Sequence, residues 1–332
     1  MTSPSTTRRL PALLLLALVI LVVAATLLGR YPRPGFLDPT LLASDALAQR
    51  LVLDLRLPRI AAAVLLGAGL GVAGLVLQML FGNPLVEPGL IGVSQGGAFG
   101  AAFALIVFAP PLWIVQIISA LAGGVGLLLS YQIARRFRFG GWILRLVLAG
   151  IAVSALFSAG VGIMKFVADP MSQLPAITFW LLGGLAATNW SRLAQVAPVV
   201  IIATVYAWTQ RWRINLLALD DRVSFSLGAA PGRERVALLV AATAATASLV
   251  ALAGIVSWVG LLVPHAARRM VGADTRLVLP VSALLGAIFV LASDTIARTV
   301  IVGEIPLGVI TSLIGASGFI WLLMRNQVRV VR

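Results

Sequence analysis

The chain carries one polar, helix-breaking stretch between two apolar runs, each long enough to cross a bilayer: residues Gly82 to Gly97, G-N-P-L-V-E-P-G-L-I-G-V-S-Q-G-G. The stretch holds two prolines, five glycines, an amide at Asn83 and a carboxylate at Glu87. Lipid offers no hydrogen-bond partners to the backbone groups that such residues free from a helix. We therefore expect the stretch to be covered by other protein or to line a water-filled path.

The composition is that of an integral membrane protein. Of the 332 residues, 60% are hydrophobic and only 11% are charged, against about 25% charged residues in typical soluble domains. The absence of cysteine excludes disulfides and thiolate metal sites, and a single histidine, His265, excludes a histidine metal cluster. The net charge of +14 comes from arginines scattered between apolar runs, which favours topology signals over a nucleic-acid surface.

The uncharged runs predict an all-α polytopic protein with ten transmembrane helices. About 20 apolar residues cross a bilayer as a helix, so two of the runs are too long for one span. We expect the first of these to divide at Ala109-Pro110-Pro111 and the second to bend at Ala253-Gly254. The runs cover residues 10–28, 60–81, 88–134, 146–164, 193–210, 236–267, 277–293 and 305–324.

The distribution of basic residues predicts the orientation. With ten spans and both termini in the cytoplasm, most of the 25 lysines and arginines fall on the cytoplasmic face, as the positive-inside rule requires. Residues 10–28 follow Arg8 and Arg9 and form a run that exceeds the usual signal-peptide length. We expect a retained first span, with a cleaved signal peptide as the alternative.

Three segments between the spans differ from simple connectors. Residues 30–58 form an outer segment that we expect to be partly helical. Residues 211–235 form the longest inner loop, with apolar and charged residues at helical spacing up to Gly228. This loop is either a solvated connector or a surface helix offered to a cytoplasmic partner. Residues 170–189 are apolar but short and predict a re-entrant helix.

The sequence lacks a phosphate-binding loop and a zinc-protease motif. The only lysine, Lys165, lies outside any phosphate-binding loop, and a single histidine cannot form the H-E-x-x-H motif of zinc proteases. The chain is therefore not expected to be an enzyme. An ion-driven carrier would place ionisable residues at mid-bilayer, where the spans are nearly free of them. Asp294 and Arg298 are the main exception, spaced to pair on one helical face.

Several blocks resemble the permeases of iron-chelate and cobalamin ABC importers, the FecCD/BtuC-like family with the type II importer fold. The resemblance starts near residue 56 and runs to the end of the chain. The blocks are R-L-P-R at 56–59, G-x-G-x-x-G-x-x-x-Q at 69–78, N-P-L-V-E-P-G-L-I-G-V-S-Q-G-G at 83–97, L-L-A-L-D-D-R-V-S-F-S-L-G at 216–228, W-V-G-L-L-V-P-H-A-A-R at 258–268, S-D-T-I-A-R at 293–298 and E-I-P-L-G-V-I-T-S-L-I-G at 304–315.

This resemblance implies a single transmembrane permease domain over residues 1–332, in the inner (plasma) membrane. It also implies a dimeric permease, which we expect to be a homodimer with its pathway at the subunit interface. The expected partners are two cytoplasmic ATPase subunits and a periplasmic substrate-binding protein. ATP and Mg would be bound by the ATPase, and no cofactor or metal is expected in this chain. An ion-gradient-driven secondary transporter is the alternative.

The same resemblance assigns an ATPase-coupling role to part of the inner loop. We expect Phe225 and Leu227 to form the apolar part of the contact, and Asp221 and Arg222 to fix its orientation. The complete set of coupling residues is Leu219, Asp220, Asp221, Arg222, Phe225, Leu227 and Gly228.

Two further sites are implied by the resemblance. Arg56, Arg59 and Arg298 match positions that dock acidic side chains of the binding protein; interface arginines without that role are the alternative. The cytoplasmic gate or pathway would be formed by Asn83, Pro84, Leu85, Gly140, Gly141 and Trp142.

Two residues near these sites have structural interpretations that we favour. Glu87 is expected to cap the backbone groups that the prolines of its segment free, rather than contact cargo. His265 is expected to bond the last carbonyls of its helix rather than bind a ligand. Ferric siderophore is the first candidate cargo, followed by haem, cobalamin and molybdate-type oxyanions.

Overall fold

The computed structural model describes residues 4–31, 34–108, 111–137, 141–301 and 303–324. This part of the chain is almost entirely helical. Seven of its helices are long and apolar enough to cross a membrane, and three shorter ones, at 93–107, 173–182 and 307–322, are also apolar.

The helices are numbered α1 to α15 in chain order. A two-residue antiparallel ribbon, β1 (Leu28–Gly29) and β2 (Gly35–Phe36), follows α1. The helices are α1 Pro4–Leu27, α2 Leu41–Ser44, α3 Ala46–Arg50, α4 Leu57–Leu80, α5 Val93–Val107, α6 Leu112–Arg136, α7 Trp142–Val167, α8 Gln173–Leu182, α9 Trp190–Thr209, α10 Arg211–Leu217, α11 Asp221–Ser226, α12 Pro231–Ala253, α13 Val259–Val271, α14 Thr275–Thr299 and α15 Leu307–Met324.

The predicted breaks in the two longest apolar runs are confirmed. Helix α5 ends at Val107 and α6 begins at Leu112, because proline lacks the N–H that a helix interior needs. Helix α12 ends at Ala253, and Gly254 has a φ of 70°, a value that glycine adopts without steric cost. The predicted re-entrant segment contains α8, and the outer segment contains α2, α3 and a π-helical turn over Leu51–Arg56.

Helix α4 is the most enclosed of the long helices. It packs against α9, α12, α13 and α14, and 78% of its most apolar window is buried. Glycines allow this enclosure: a Cβ at Gly67 would overlap the carbonyl oxygen of Gly286, and one at Gly74 would overlap that of Gly260. Small residues let helix backbones approach closely in membranes, where packing rather than the hydrophobic effect drives association.

Gln78, near the end of α4, adds side-chain hydrogen bonds to these packing contacts. Its side chain is buried, and its Nε2 donates to the carbonyl oxygens of Gly260 (3.1 Å) and Leu261 (3.4 Å). Its Oε1 accepts from the Arg268 guanidinium. The glutamine therefore bonds to two backbone carbonyls at the start of α13 and to a side chain near its end, which holds α13 against α4.

Replacing Gly74 with alanine is expected to destabilise the bundle. The new methyl group meets the backbone carbonyl of Gly260, which cannot rotate away as a side chain can, so α4 and α13 must separate. Overpacking of this kind costs about 1–3 kcal/mol. The thermal midpoint of the purified protein in detergent should fall. Gly124→Ala is the matched control, because a Cβ at Gly124 meets no atom within 4 Å; equal midpoints for the two variants would contradict the packing argument.

Candidate functional site

The segment that joins α4 to α5 forms a compact turn rather than an extended loop. Gly82 (φ 57°) ends the α4 region, and the Oδ1 of Asn83 accepts from the Leu85 N–H at 2.9 Å. A 3₁₀ turn over Pro88–Ile91 follows, and Gly92 (φ 84°) leads into α5. Asn83, Pro84 and Leu85 are exposed, so the tip of the turn is available to a pathway or a partner.

Glu87 anchors this turn to the connection between α12 and α13. Its carboxylate accepts from the backbone N–H of Trp258. Trp258 has a φ of 72°, a strained value for a non-glycine residue, and it immediately precedes α13. The carboxylate therefore satisfies a backbone donor at the start of a helix. Glu87 therefore bonds a backbone group, but this group lies at the start of α13 and is not one that the prolines of the turn leave free, as the sequence had predicted.

The second half of the predicted gate lies where α7 begins. Gly140 lies outside the described residues. Gly141 is exposed and is the N-cap of α7. The Trp142 ring lies edge-on to Tyr131 of α6, with 5.3 Å between centroids. In the described part of the chain, no hydrogen bond or ion pair joins Gly141 or Trp142 to the exposed tip at 83–85, so the gate stays a prediction.

The predicted coupling segment contains α11, which is rigidly capped at both ends. The Asp220 side chain accepts from the Arg222 N–H at 2.9 Å, as an N-cap residue does. At the other end Gly228 (φ 84°) donates to Phe225 O, and the Ala229 N–H donates to Ser224 O. This pair of bonds is a Schellman C-cap. Both caps follow from residue types visible in the sequence.

Helix α11 is fixed to its neighbours on one side and bare on the other. Ser224 is fully buried and donates to Leu216 O at 2.6 Å, and Asp221 pairs with Arg235 of α12 at 2.5 Å. Phe225 and Leu227 are 73% and 55% exposed. The arrangement confirms a short surface helix in this loop, with its apolar side chains facing away from the bundle.

A hydrogen-bonded joint that the sequence did not reveal ties this surface to α14. Asn215 of α10 donates to Asp274 Oδ1 (2.8 Å) and accepts from the N–H (2.9 Å) and Oγ1 (2.6 Å) of Thr275. Asp274 is also held by Arg276, whose guanidinium lies 4.8 Å from the Trp212 ring centroid. Asn215 and Asp274 are 59 residues apart, and no local spacing relates them.

The Arg276 side-chain bonds are the main cause that lowers the pKa of Asp274 to about 2 from its ordinary 3.8, with further lowering from the Arg276 N–H and Asn215. A carboxylate with a lowered folded-state pKa stabilises the fold fully above its unfolded-state value. The contribution of Asp274 is therefore present at neutral pH, and it is lost as the pH falls from about 4 towards 2.

The three predicted docking arginines lie at the opposite end of the helices, and each has partners within the chain. Arg56 donates to the carbonyls of Thr26 (2.9 Å) and Leu27 (3.3 Å). Arg298 donates to those of Ala25 and Leu28. These carbonyls are at the end of α1, where a helix leaves its last C=O groups unpaired and favours positive charge. Both arginines therefore cap α1, whatever further role they have.

Arg59 is the centre of a buried ion-pair cluster. Its Nε lies 3.0 Å from both carboxylate oxygens of Asp294, and its Nη1 lies 2.9 Å from Glu304. The Asp294 side chain is fully buried, whereas Glu304 is partly exposed. The predicted pair of Asp294 with Arg298 is present at 4.0 Å, but it is secondary to the Arg59 contacts. Arg59, Glu304 and Arg192 line an adjacent cavity of about 520 Å³.

His265 lies within α13 with its ring 6.2 Å from that of Phe319. Its Nε2 is buried without a hydrogen-bond partner, so this nitrogen does not bond the last carbonyls of the helix. Within the described ranges no group of three or more histidine, aspartate or glutamate residues is arranged to hold a metal ion.

Comparison with known proteins gives consistent matches over nearly the whole chain. The model of the FecCD transport family matches residues 13–325. The molybdate import system permease protein MolB of Haemophilus influenzae is 37% identical, over 92% of both chains. The vitamin B12 import system permease protein BtuC of Vibrio cholerae is 40% identical, over 86% of both chains. A solved metal-chelate type ABC transporter in an inward-facing conformation is 34% identical, with a TM-score of 0.85 over 96% of this chain and 99% of that one.

Removing one member of the buried ion pair is expected to be strongly destabilising. Asp294→Asn leaves the Arg59 guanidinium, only 12% exposed, with a single carboxylate at the edge of its cavity. Breaking a buried pair costs about 3–5 kcal/mol, measurable as the free energy of unfolding in mixed micelles.

The exposed Asp54→Asn is the control and should have little effect. The double variant Arg59→Met, Asp294→Leu should recover part of the loss, because both charges of the Arg59–Asp294 pair are removed and Arg298 keeps its carbonyl partners at the end of α1. A wild-type unfolding free energy for Asp294→Asn would contradict the assigned pairing.

Proposed function

Because the chain belongs to the FecCD transport family, we propose that it is the membrane permease of an ATP-driven importer that moves a metal chelate from a periplasmic binding protein to the cytoplasm. The family match over residues 13–325 carries the proposal. The exposed apolar surface of α11, joined by side-chain bonds to α10 and α12, is the local feature that fits it best.

The proposal includes ten membrane crossings, with both termini in the cytoplasm of a multi-pass inner-membrane protein. The seven long helices supply seven of these crossings, and α5, α13 and α15 would supply the others. Helix α5 is short because Gly92 separates it from the preceding turn, and α13 is short because Arg268 and Arg269 end its apolar part. Short helices are tolerated at membrane depth where protein covers their ends.

The energy for transport would come from a separate ATPase that binds the surface formed by α10 and α11. Phe225 and Leu227 offer apolar side chains to that partner. Asp221 is already paired with Arg235, so its role in the contact is to hold α11 in place, and Arg222 remains the charge available for orientation. The Asn215–Asp274 joint connects this surface to α14.

The substrate-binding protein would dock at the other end, close to Arg56, Arg59 and Arg298. Guanidinium groups suit directional pairing with carboxylates. Arg59 already holds two carboxylates, and Arg298 is largely buried. Arg56, with bonds to backbone carbonyls only, is therefore the arginine that can accept a new carboxylate at the lowest cost.

We expect a homodimer with a pathway between the two copies. Large apolar side chains stay uncovered near the end of α7 and just after it, with Phe166 and Met171 among the most exposed. Exposed apolar patches of this kind mark interfaces or lipid contacts. A ferric siderophore is the proposed cargo, with haem, cobalamin or an oxyanion such as molybdate as further candidates. The names of the relatives cover several of these cargo classes.

Leu227→Arg is expected to disconnect the permease from its ATPase. The substitution places a guanidinium in the apolar contact with the ATPase. Burying this charge without a partner is unfavourable, so the interface is weakened. Co-purification of the ATPase should fall at least tenfold, and ATP hydrolysis stimulated by the binding protein should be lost.

Thr209→Arg, at the exposed end of α9, adds the same charge outside the coupling segment. It should leave both measurements near wild type. Wild-type co-purification and stimulation in Leu227→Arg would refute the assigned contact.

A further inference from the structure

A long apolar groove runs between α6 and α12 on the outside of the bundle. It encloses about 700 Å³ and is lined almost entirely by carbon atoms, with Thr243 and Tyr131 as its polar members. On the α6 side, the groove is lined by residues that include Leu121, Gly124 and Leu128. Gly124 makes part of this depression, because a Cβ there would meet no other atom within 4 Å. The groove is thus an apolar slot, and side chains that line it, such as Leu121 and Leu128, are exposed at the surface of the bundle.

Basic residues extend the groove walls at one end. On α6, Arg135 lies four residues beyond Tyr131, and its guanidinium carbon is 5.8 Å from that ring centroid. On α12, Arg233 lies one turn before Val236, which lines the groove. Residues three and four apart share a helical face, so each arginine continues the face that lines the slot.

The two arginines lie at the same end because α6 and α12 run antiparallel. A Cβ at Gly123 would touch Ala247, while Tyr131, eight residues later on α6, lines the groove together with Leu239, eight residues earlier on α12. The end of α6 is therefore beside the start of α12. Arg135 and Arg233 are exposed, and the ion pairs found among the described residues include neither.

We propose that this groove is a binding site for an anionic phospholipid, with one acyl chain in the slot and the headgroup phosphate between Arg135 and Arg233. The dimensions agree: Leu121 to Tyr131 spans ten residues, about 15 Å along a helix, which is half of the roughly 30 Å hydrocarbon core. Basic residues at a membrane surface each favour an anionic lipid by about a fivefold affinity factor. A zwitterionic lipid fills the slot equally well but gains nothing from the arginines.

The site is tested by native mass spectrometry on the purified full-length protein. The probes are phosphatidylglycerol and phosphatidylcholine with identical acyl chains. Wild type should retain phosphatidylglycerol preferentially. The double variant Arg135→Gln, Arg233→Gln should lower its apparent affinity more than tenfold and leave phosphatidylcholine unchanged. Arg50→Gln is the control, because Arg50 is also exposed but belongs to α3 and does not line the groove, and it should bind like wild type.

A second variant tests the slot separately from the charges. Gly124→Leu should fill the groove and weaken both lipids, and the open space at Gly124 lets this variant fold. Equal retention of the two lipids by wild type, or wild-type phosphatidylglycerol binding by the double arginine variant, would overturn the proposal. So would efficient disulfide formation between copies of Leu121→Cys in this cysteine-free chain, because a second copy would then cover the groove.

Discussion

The close backbone packing of α4 determines how the helices around it are placed. The hydrophobic effect does not drive helix association within a lipid bilayer. Association there depends on van der Waals contacts and hydrogen bonds between helices. Glycines at 67, 71 and 74 bring the α4 backbone against α13 and α14. Helix α4 carries Arg59 in its first turn and Gln78 in its last turn, shortly before the turn at residues 82–92. Its placement therefore positions groups at both ends of the molecule.

Helix α14 connects the same two ends as a single element. At its start, Asp274 and Thr275 bond to Asn215 of the α10–α11 surface. At its far end, Asp294 receives Arg59, and Arg298 caps α1. A single 25-residue helix is thus held by side-chain bonds both at the α10–α11 surface and at the ion-pair cluster around Arg59.

The sequence predicted the features that local chemistry controls. A helix break was expected before Pro111, a bend at Gly254 and a helix end at Gly228, and α5, α12 and α11 end at these places because the conformational preferences of such residues act over a few positions. Partners far apart in the chain were not predictable. Spacing related Asp294 to Arg298, four residues away, whereas its main partner, Arg59, is 235 residues distant. The family resemblance implied a docking role for Arg56 and Arg298, and only the fold revealed the α1 carbonyls beside them.

In the proposed function this chain forms only a conduit, and a separate ATPase drives transport. The decisive measurement is the uptake of radiolabelled chelate into proteoliposomes, with the chelate that the cognate binding protein carries. We expect accumulation against a gradient only when the ATPase, ATP and the binding protein are all present. Accumulation by the purified chain alone, driven by a proton or sodium gradient without nucleotide, would contradict it.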